Sequence, residues 1–173
     1  AGKSAGVLKP PDLSPAWPRD TACRACPLGA RAYSCCIPSE GPTTPRLVVV
    51  GEAPGEREER WERPFVGRSG KLLQGALTQA GLSRGDVLLM NVVRCYPRDV
   101  QGDPVDEVPP EALVTCPPLF FSKDLARVDT YVPVLVLGAS ALKVATGRTG
   151  IRNLSGDSFV HEGRTYWCHL HPA

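Results

Sequence analysis

Three polar side chains lie at the ends of predicted β-strands. Glu52 directly follows the first predicted strand, Asn91 lies near the end of the second, and His171 follows the fourth. A carboxylate can accept a proton or stabilise a cation, a carboxamide both donates and accepts hydrogen bonds, and an imidazole can donate a hydrogen bond. If the fold brings these strand ends together, the three side chains form a candidate site.

Seven cysteines are a second group of candidate functional residues. An odd number cannot all pair within one chain, and no secretion signal is visible, so a metal or cluster framework is favoured over disulfides. Cys23 and Cys26 form a C-x2-C pair, which alone also fits a redox pair or chance. Cys95 and Cys116, taken alone, could be small buried residues of the core.

Short apolar runs alternate with helical patterns along the chain, and this order predicts an α/β fold. The predicted strands are 46–51, 86–93, 131–138 and 165–170. We expect a three-layer sandwich with a central, mostly parallel four-stranded sheet flanked by helices. Because ligands bind at the carboxyl ends of the strands in such sheets, the three polar side chains are expected to meet at one edge.

The chain is predicted to hold a single domain that follows an arm. Residues 1–20 are rich in proline and show no hydrophobic period, so we expect an extended or flexible segment there. Residues 21–173 are long enough to form one domain with its own core. No apolar run approaches the roughly 20 residues that a membrane helix needs, so no membrane partner is expected.

Four short motifs, in their order and spacing, resemble the uracil-DNA glycosylase superfamily, and most closely its iron–sulfur branch, family 4. They are Gly-Glu-Ala-Pro-Gly at 51–55, Arg-Pro-Phe-Val-Gly at 63–67, Asn-Val-Val-Arg-Cys at 91–95 and His-Pro-Ala at 171–173. The resemblance covers residues 23–173. The first motif alone would fit a tight turn between a strand and a helix, so the resemblance depends on all four together.

The resemblance implies an enzyme that flips uracil out of DNA and hydrolyses its N-glycosidic bond. The product is an abasic site, which initiates base excision repair. Phe65 would stack on the flipped base, and the carboxamide of Asn91 would bond to O4 and N3–H, which distinguishes uracil from cytosine. Gly51 and Ala53, in the first motif, would also contact the substrate.

Two further residues would act on the bond that breaks. His171 would donate a hydrogen bond to uracil O2, where negative charge develops. Glu52 would position the attacking water or stabilise the positively charged sugar, and Glu58 is a supporting carboxylate. Several basic side chains near the second motif could contact phosphates. They are Arg57, Arg60, Arg63, Arg68 and Lys71.

The resemblance also implies a structural [4Fe–4S] cluster bound by four cysteines. Its ligands would be Cys23, Cys26, Cys95 and Cys116. Four thiolates also suit zinc, so zinc stays open as the alternative metal. Cys35 and Cys36 could replace one of these ligands.

The sequence departs from the family pattern in three places, one of which is Glu62, where the family often has Gly. The loop between Cys95 and Cys116 is longer than in the family, with 20 residues between the two cysteines. After His171 the family continues with a loop that wedges into the duplex and a last helix, and this chain is expected to lack both. Two alternatives therefore stay open. One is a weak or inactive glycosylase-fold module that binds DNA or a replication or repair partner, and the other is a zinc-bound Cys₄ domain without catalysis.

The expected partner is uracil-containing DNA, single-stranded or double-stranded. The chain has 20 basic and 18 acidic side chains, a formal net charge of +2, so DNA would be bound by a local basic patch rather than by the overall charge. We expect a monomer in the reducing cytoplasm, associated with the nucleoid, alone or in a larger repair or replication assembly.

Overall fold

A computed structural model describes residues 17–172, in which a five-stranded sheet has helices on both faces. The strands are β1 (Leu47–Gly51), β2 (Val87–Asn91), β3 (Val134–Leu137), β4 (Ser158–His161) and β5 (Arg164–His169). The α-helices are α1 (Pro27–Arg31), α2 (Glu56–Trp61), α3 (Arg68–Gln79), α4 (Pro110–Leu119), α5 (Phe121–Ala126), α6 (Ala139–Thr146) and α7 (Ile151–Leu154). A single 3₁₀ turn, Arg84–Asp86, leads into β2.

The strand order is β2-β1-β3-β5-β4, and the first four strands in this order are parallel. This confirms the predicted α/β class and the mostly parallel sheet. The number of strands differs from the prediction, because β4 pairs antiparallel with β5 and makes a fifth strand. β4 lies at the edge of the sheet and Val160 in it is 66% exposed, so it lacks the apolar run by which the other strands were found.

The central strands are buried on both faces, which explains their continuous apolar sequence. Along β1, Val48 and Val50 belong to a core with residues of α5, α6 and α7, whereas Val49 belongs to a second core with residues of α3. In α3, Leu73 and Leu77 lie four residues apart and face the sheet together. Successive side chains of β1 thus enter opposite layers, as the predicted three-layer sandwich requires.

The described part of the chain is packed from its first residue, Trp17, which is only 4% exposed. Its indole N–H donates to the carbonyl of Gly41 over 2.8 Å, and the guanidinium of Arg127 lies 4.7 Å from the indole ring. Residues 1–16 of the predicted arm lie outside the described residues, so the arm stays a prediction. None of the helices within residues 17–172 is long and apolar enough to cross a membrane.

Candidate active site and cysteine cluster

The carboxyl ends of the parallel strands border a cavity of about 600 Å³, which we call the strand-end cavity. Five of the six predicted substrate-site residues line it. They are Glu52, Ala53, Phe65, Asn91 and His171. Gly51 and Asn91 are partners in the register of β1 and β2, and the N–H of Val93 donates to the carbonyl of Glu52 over 2.9 Å. Strand pairing therefore places the first and third motifs side by side.

Gly51, the sixth predicted residue, does not itself line the cavity but lies against two residues that do, Asn91 and Phe65. A Cβ at this position would lie 2.6 Å from Oδ1 of Asn91 and 2.8 Å from Cζ of Phe65. Any side chain here would displace both residues. The lack of a side chain at Gly51 is thus what lets the aromatic ring and the carboxamide approach each other.

The backbone at Phe65 is held in a left-handed conformation, with φ 52°, and the residue is 5% exposed. One carboxylate oxygen of Glu58 accepts hydrogen bonds from the N–H groups of Val66 (3.0 Å) and Gly67 (2.8 Å). The guanidinium of Arg84 donates to the carbonyl of Phe65 over 2.9 Å. A left-handed conformation costs free energy for a bulky residue, so these bonds are needed to keep the ring in place.

A carboxylate that no motif marks, Glu40, supports the same loop by forming ion pairs with both Arg63 and Arg84. The two arginines lie 23 and 44 residues away in sequence, so local patterns could not have found this network. Arg63, one of the side chains that could contact phosphates, is thus engaged in an ion pair. Arg57 and Arg68, from the same prediction, line the strand-end cavity.

Asn91 ends β2 and is only 9% exposed. No hydrogen bond joins its carboxamide to another of residues 17–172. A buried carboxamide normally finds partners, because leaving its donor and acceptor unpaired is unfavourable. Both the NH₂ group and the carbonyl oxygen of Asn91 are therefore available to a ligand in the strand-end cavity.

His171 lines the cavity next to Gly138, where a Cβ would lie 3.4 Å from Cβ of His171. Gly138 has φ 93°, and its N–H donates to the carbonyl of His169 over 3.0 Å, which ties the segment after β5 to the end of β3. Desolvation by the surrounding protein lowers the pKa of His171, and the carboxylates of Glu52 and Glu58 oppose that decrease. The imidazole is thus predominantly neutral at pH 7, when it still has one N–H to donate.

The long loop after Cys95 forms part of the cavity wall, which the sequence did not reveal. Tyr96, Pro97 and Asp106 line the cavity opposite the strand ends. Within this loop an antiparallel bridge joins Arg98 to Pro104, and the turn between them is closed by a hydrogen bond from Asp99 N–H to Asp103 oxygen (2.9 Å). Residues 98–104 of the loop thus form a small closed hairpin.

Five of the seven cysteines line a second, smaller cavity, which we call the cysteine cavity. They are Cys23, Cys26, Cys36, Cys95 and Cys116. Cys26 directly precedes α1, Cys95 follows β2, and Cys116 lies in α4. All four predicted cluster ligands therefore lie around one cavity, and Cys36 joins them.

Cys35 and Cys36 both contact the predicted ligand Cys95. The sulfur of Cys35 lies 3.7 Å from the sulfur of Cys95, and the N–H of Cys36 donates to that same sulfur over 3.3 Å.

Burial raises the pKa of Cys116 to about 12 and raises that of Cys95 as well. Within the described residues, no group of three or more His, Cys, Asp or Glu side chains is arranged to hold a metal ion.

Comparison with known proteins identifies the family. Residues 38–173 match the family described as the uracil DNA glycosylase superfamily. The type-4 uracil-DNA glycosylase of Thermotoga maritima is 39% identical over 123 residues, which cover 69% of this chain and 58% of the relative. Those of Pyrobaculum aerophilum and Sulfurisphaera tokodaii are 36% and 31% identical over 126 and 147 residues.

The match to Pyrobaculum aerophilum covers 73% of this chain and 62% of the relative, and that to Sulfurisphaera tokodaii covers 80% and 62%. The chain thus spans about three fifths of the length of the curated relatives it matches. The family match covers well over half of the chain, and it includes the strand ends that border the strand-end cavity. The chain therefore belongs to the uracil DNA glycosylase superfamily.

Proposed function

We propose that this protein is a uracil-DNA glycosylase, which hydrolyses the bond between uracil and deoxyribose and leaves an abasic site. The observation that carries the proposal is the strand-end cavity. It combines an aromatic ring, an unpaired carboxamide, an imidazole and a carboxylate in about 600 Å³, a size typical of small-ligand sites. The relatives named above are type-4 uracil-DNA glycosylases, which supports the same activity.

In this proposal Phe65 and Asn91 recognise the flipped base. The ring of Phe65 supplies a flat apolar face, and its strained backbone keeps that face at a fixed angle. The carboxamide of Asn91 donates to uracil O4 and accepts from N3–H. Cytosine has a donor at the first position and an acceptor at the second, so it would meet two mismatched pairs. Ala53 lines the same cavity and leaves room for the base.

His171 and Glu52 act on the glycosidic bond. As the bond between C1′ and N1 breaks, its electron pair moves to uracil and the negative charge spreads to O2, where His171 donates its N–H. The sugar becomes positively charged, and the carboxylate of Glu52 stabilises it and orients the attacking water. The water oxygen bonds to C1′, and its proton passes to the carboxylate or to solvent. Uracil then leaves as the anion or takes a proton from solvent.

We further propose that Cys23, Cys26, Cys95 and Cys116 bind the [4Fe–4S] cluster expected of family 4. The support is the donor set of this chain, in which all four thiols line the buried cysteine cavity. When bound, the cluster would crosslink loops that have little regular structure of their own. Cys95 lies four residues after Asn91, so fixing Cys95 also fixes the segment that holds the base-reading carboxamide.

The cluster proposal has two rivals, one for the metal and one for a ligand, and the metal is identified by a simple measurement. Zinc suits the same four thiolates but gives a colourless protein, whereas an iron–sulfur protein absorbs near 400 nm. Cys36 also lines the cavity, so it could replace one of the four ligands. Metal analysis and the visible spectrum of protein purified without oxygen decide between iron and zinc.

The activity is tested with a labelled single-stranded oligonucleotide that carries one uracil, followed by alkali to cut at abasic sites. We expect cleavage at the uracil, and a rate lower by about 10²–10³ in His171→Ala, the scale for one lost transition-state donor. His169→Ala is the matched control, since His169 is exposed and does not line the strand-end cavity. Its rate should equal that of the wild type.

Folded, metal-replete protein that binds the oligonucleotide without cleaving it would overturn the enzyme proposal in favour of a DNA-binding module. The same experiment with a duplex substrate determines which form of DNA is preferred.

As a DNA repair enzyme with reduced thiols, the protein would act inside the cell, where the genome is. Its association with the nucleoid stays a prediction. The assay makes no assumption about oligomeric state, which is measured separately by light scattering.

A further inference from the structure

Another cavity, of about 500 Å³, lies beside the strand-end cavity and is distinct from the cysteine cavity. We call it the tyrosine cavity. Glu56 and Tyr96 line both cavities, so the two are adjacent. The other residues of the tyrosine cavity come from three separate segments. They are Tyr33, Ser34, Glu59, Arg60, Arg98 and Pro104. None of them belongs to the base-recognising or bond-breaking groups described above.

One guanidinium in this cavity contacts two aromatic rings. Cζ of Arg98 lies 4.5 Å from the ring centre of Tyr33 and 5.1 Å from that of Tyr96. Both distances are within the range of a cation–π interaction. Because Tyr96 also lines the strand-end cavity, the three side chains form a continuous row from that cavity to the protein surface.

The row is rigid at its centre. Arg98 is 6% exposed, pairs with the buried carboxylate of Glu59 over 2.6 Å, and donates to the carbonyl of Gly102 over 2.9 Å. The other carboxylate oxygen of Glu59 accepts the backbone N–H of Tyr33 over 2.9 Å. The same ion pair therefore fixes both the backbone of Tyr33 and the cation beneath its ring.

The outer end of the row is open to solvent. Tyr33 is 88% exposed although its backbone is held by a buried ion pair. Burying two charges is costly unless they are well paired, and holding an exposed tyrosine in place does not stabilise a hydrophobic core. A rigid, exposed aromatic face beside a nucleotide-sized cavity is instead the arrangement that stacks on nucleobases.

We propose that Tyr33 stacks on a nucleobase of single-stranded DNA that flanks the flipped uracil. This inference depends on the proposed function, because it needs a uracil in the strand-end cavity to set the position of the flanking nucleotide. The two acidic side chains in the tyrosine cavity are both paired, Glu56 with Arg60 over 3.0 Å and Glu59 with Arg98. They therefore present little uncompensated negative charge to the DNA.

Binding is measured with a single-stranded oligonucleotide that carries a 2′-fluorinated deoxyuridine, whose glycosidic bond resists hydrolysis. We expect Tyr33→Ala to bind about 10-fold more weakly, within the range for one lost base–aromatic stack. Tyr33→Phe keeps the ring and should bind like the wild type. Tyr131→Ala is the control for an exposed tyrosine elsewhere, since Tyr131 is 81% exposed and lines neither cavity.

A second set of oligonucleotides lacks one base at a time on either side of the uracil. At one position, removing the base should abolish the difference between the wild type and Tyr33→Ala, because the stacking partner is then gone from the DNA. An unchanged affinity of Tyr33→Ala, or an equal loss with every oligonucleotide, would overturn the proposal. Both results are read from binding alone, so they are distinct from a failure of uracil excision.

Discussion

The strand-end cavity is built on paired β-strands, whereas the cysteine cavity is built from loops and short helices. In the first, strand register and backbone hydrogen bonds place Asn91 and Glu52 without any bound group. In the second, Cys26 precedes a helix of five residues, and the other predicted ligands come from two loop segments and from α4. Such segments have few backbone bonds of their own to define their geometry. The difference indicates that the protein itself preorganises the strand-end cavity, while the cysteine region would depend on the proposed metal group for its geometry.

The largest expected effect concerns the cysteine cavity. Cys116→Ala should lose most of the roughly four iron atoms expected for each chain with a [4Fe–4S] cluster. It should also lower the midpoint of thermal unfolding, because metal binding contributes directly to folding in sites of this kind. Iron analysis, absorption near 400 nm and a thermal melt measure the change.

Cys168→Ala is the matched control for this variant, since Cys168 is buried in the core and does not line the cysteine cavity. It should keep its iron. Full iron in Cys116→Ala would mean that Cys36 or Cys35 serves as the fourth ligand, and iron analysis of Cys36→Ala and Cys35→Ala would then show which of the two it is.

A smaller effect is expected in the strand-end cavity from Glu58→Ala. This change removes the acceptor for two backbone N–H groups, each of which costs about 1–3 kcal/mol when buried and unpaired. The loop at Phe65 would lose its left-handed conformation, and kcat/KM on single-stranded uracil DNA should fall by about 10-fold or more, because misplacing a substrate-positioning group by a small distance is costly.

Glu58→Gln keeps one oxygen acceptor and should recover part of the activity, which a role of the charge alone would not allow. Iron content should stay at the wild-type level in both variants. Loss of iron in Glu58→Ala would contradict this contrast between the strand-end cavity and the cysteine cavity, because it would show that the two do not hold their geometry independently.

The smallest effect is a change in the titration of His171. Its pKa lies below the ordinary value of 6.5 because desolvation disfavours the charged imidazolium, and Glu52 opposes this decrease. Removing the negative charge of Glu52 in Glu52→Gln should therefore lower the titration midpoint of His171 further. The imidazole signals of His171 in an NMR titration, assigned with His171→Ala, measure both midpoints.

The lowered pKa of His171 fixes the direction in which the stability of the protein changes with pH. The unfolded chain binds the proton more readily than the folded one, so the contribution of His171 to stability is full above pH 6.5 and decreases as the pH falls below it. A midpoint at or above 6.5 in the wild-type protein would contradict the desolvated environment described here.

Local sequence patterns predicted most of the sheet and much of the site for identifiable reasons. Strands β1, β2 and β3 are buried on both faces, so they read as continuous apolar runs. The edge strand β4 was missed because half of its side chains are exposed and its turn at Glu162 and Gly163 is only two residues long. The motif around Phe65 predicted a binding residue, but the bonds from Glu58 that hold its backbone depend on the folded loop.

Sequence patterns could not predict the ion pairs between residues that are far apart in the chain. Glu40 meets Arg84 across 44 residues, and Arg98 meets Glu59 across 39. A charged residue normally lies in solvent, so nothing in the sequence marks Glu59 as buried or Glu40 as partly buried. The contact between Tyr33 and Arg98 could not be predicted either, because the two residues come from segments that are far apart in the sequence.

The amino-acid sequence by itself determined the family, the α/β class and the identity of the side chains that can do chemistry, because each of these depends on local composition and spacing. The tertiary structure alone decided which of them share a cavity, that Gly51 lies against Asn91 and Phe65, and that Cys36 joins the other cysteines. The physical reason is that strand register and ion pairs bring together residues far apart in the sequence, such as Val48 with Val134 and Glu40 with Arg84, and such contacts leave no periodic signal in a single sequence.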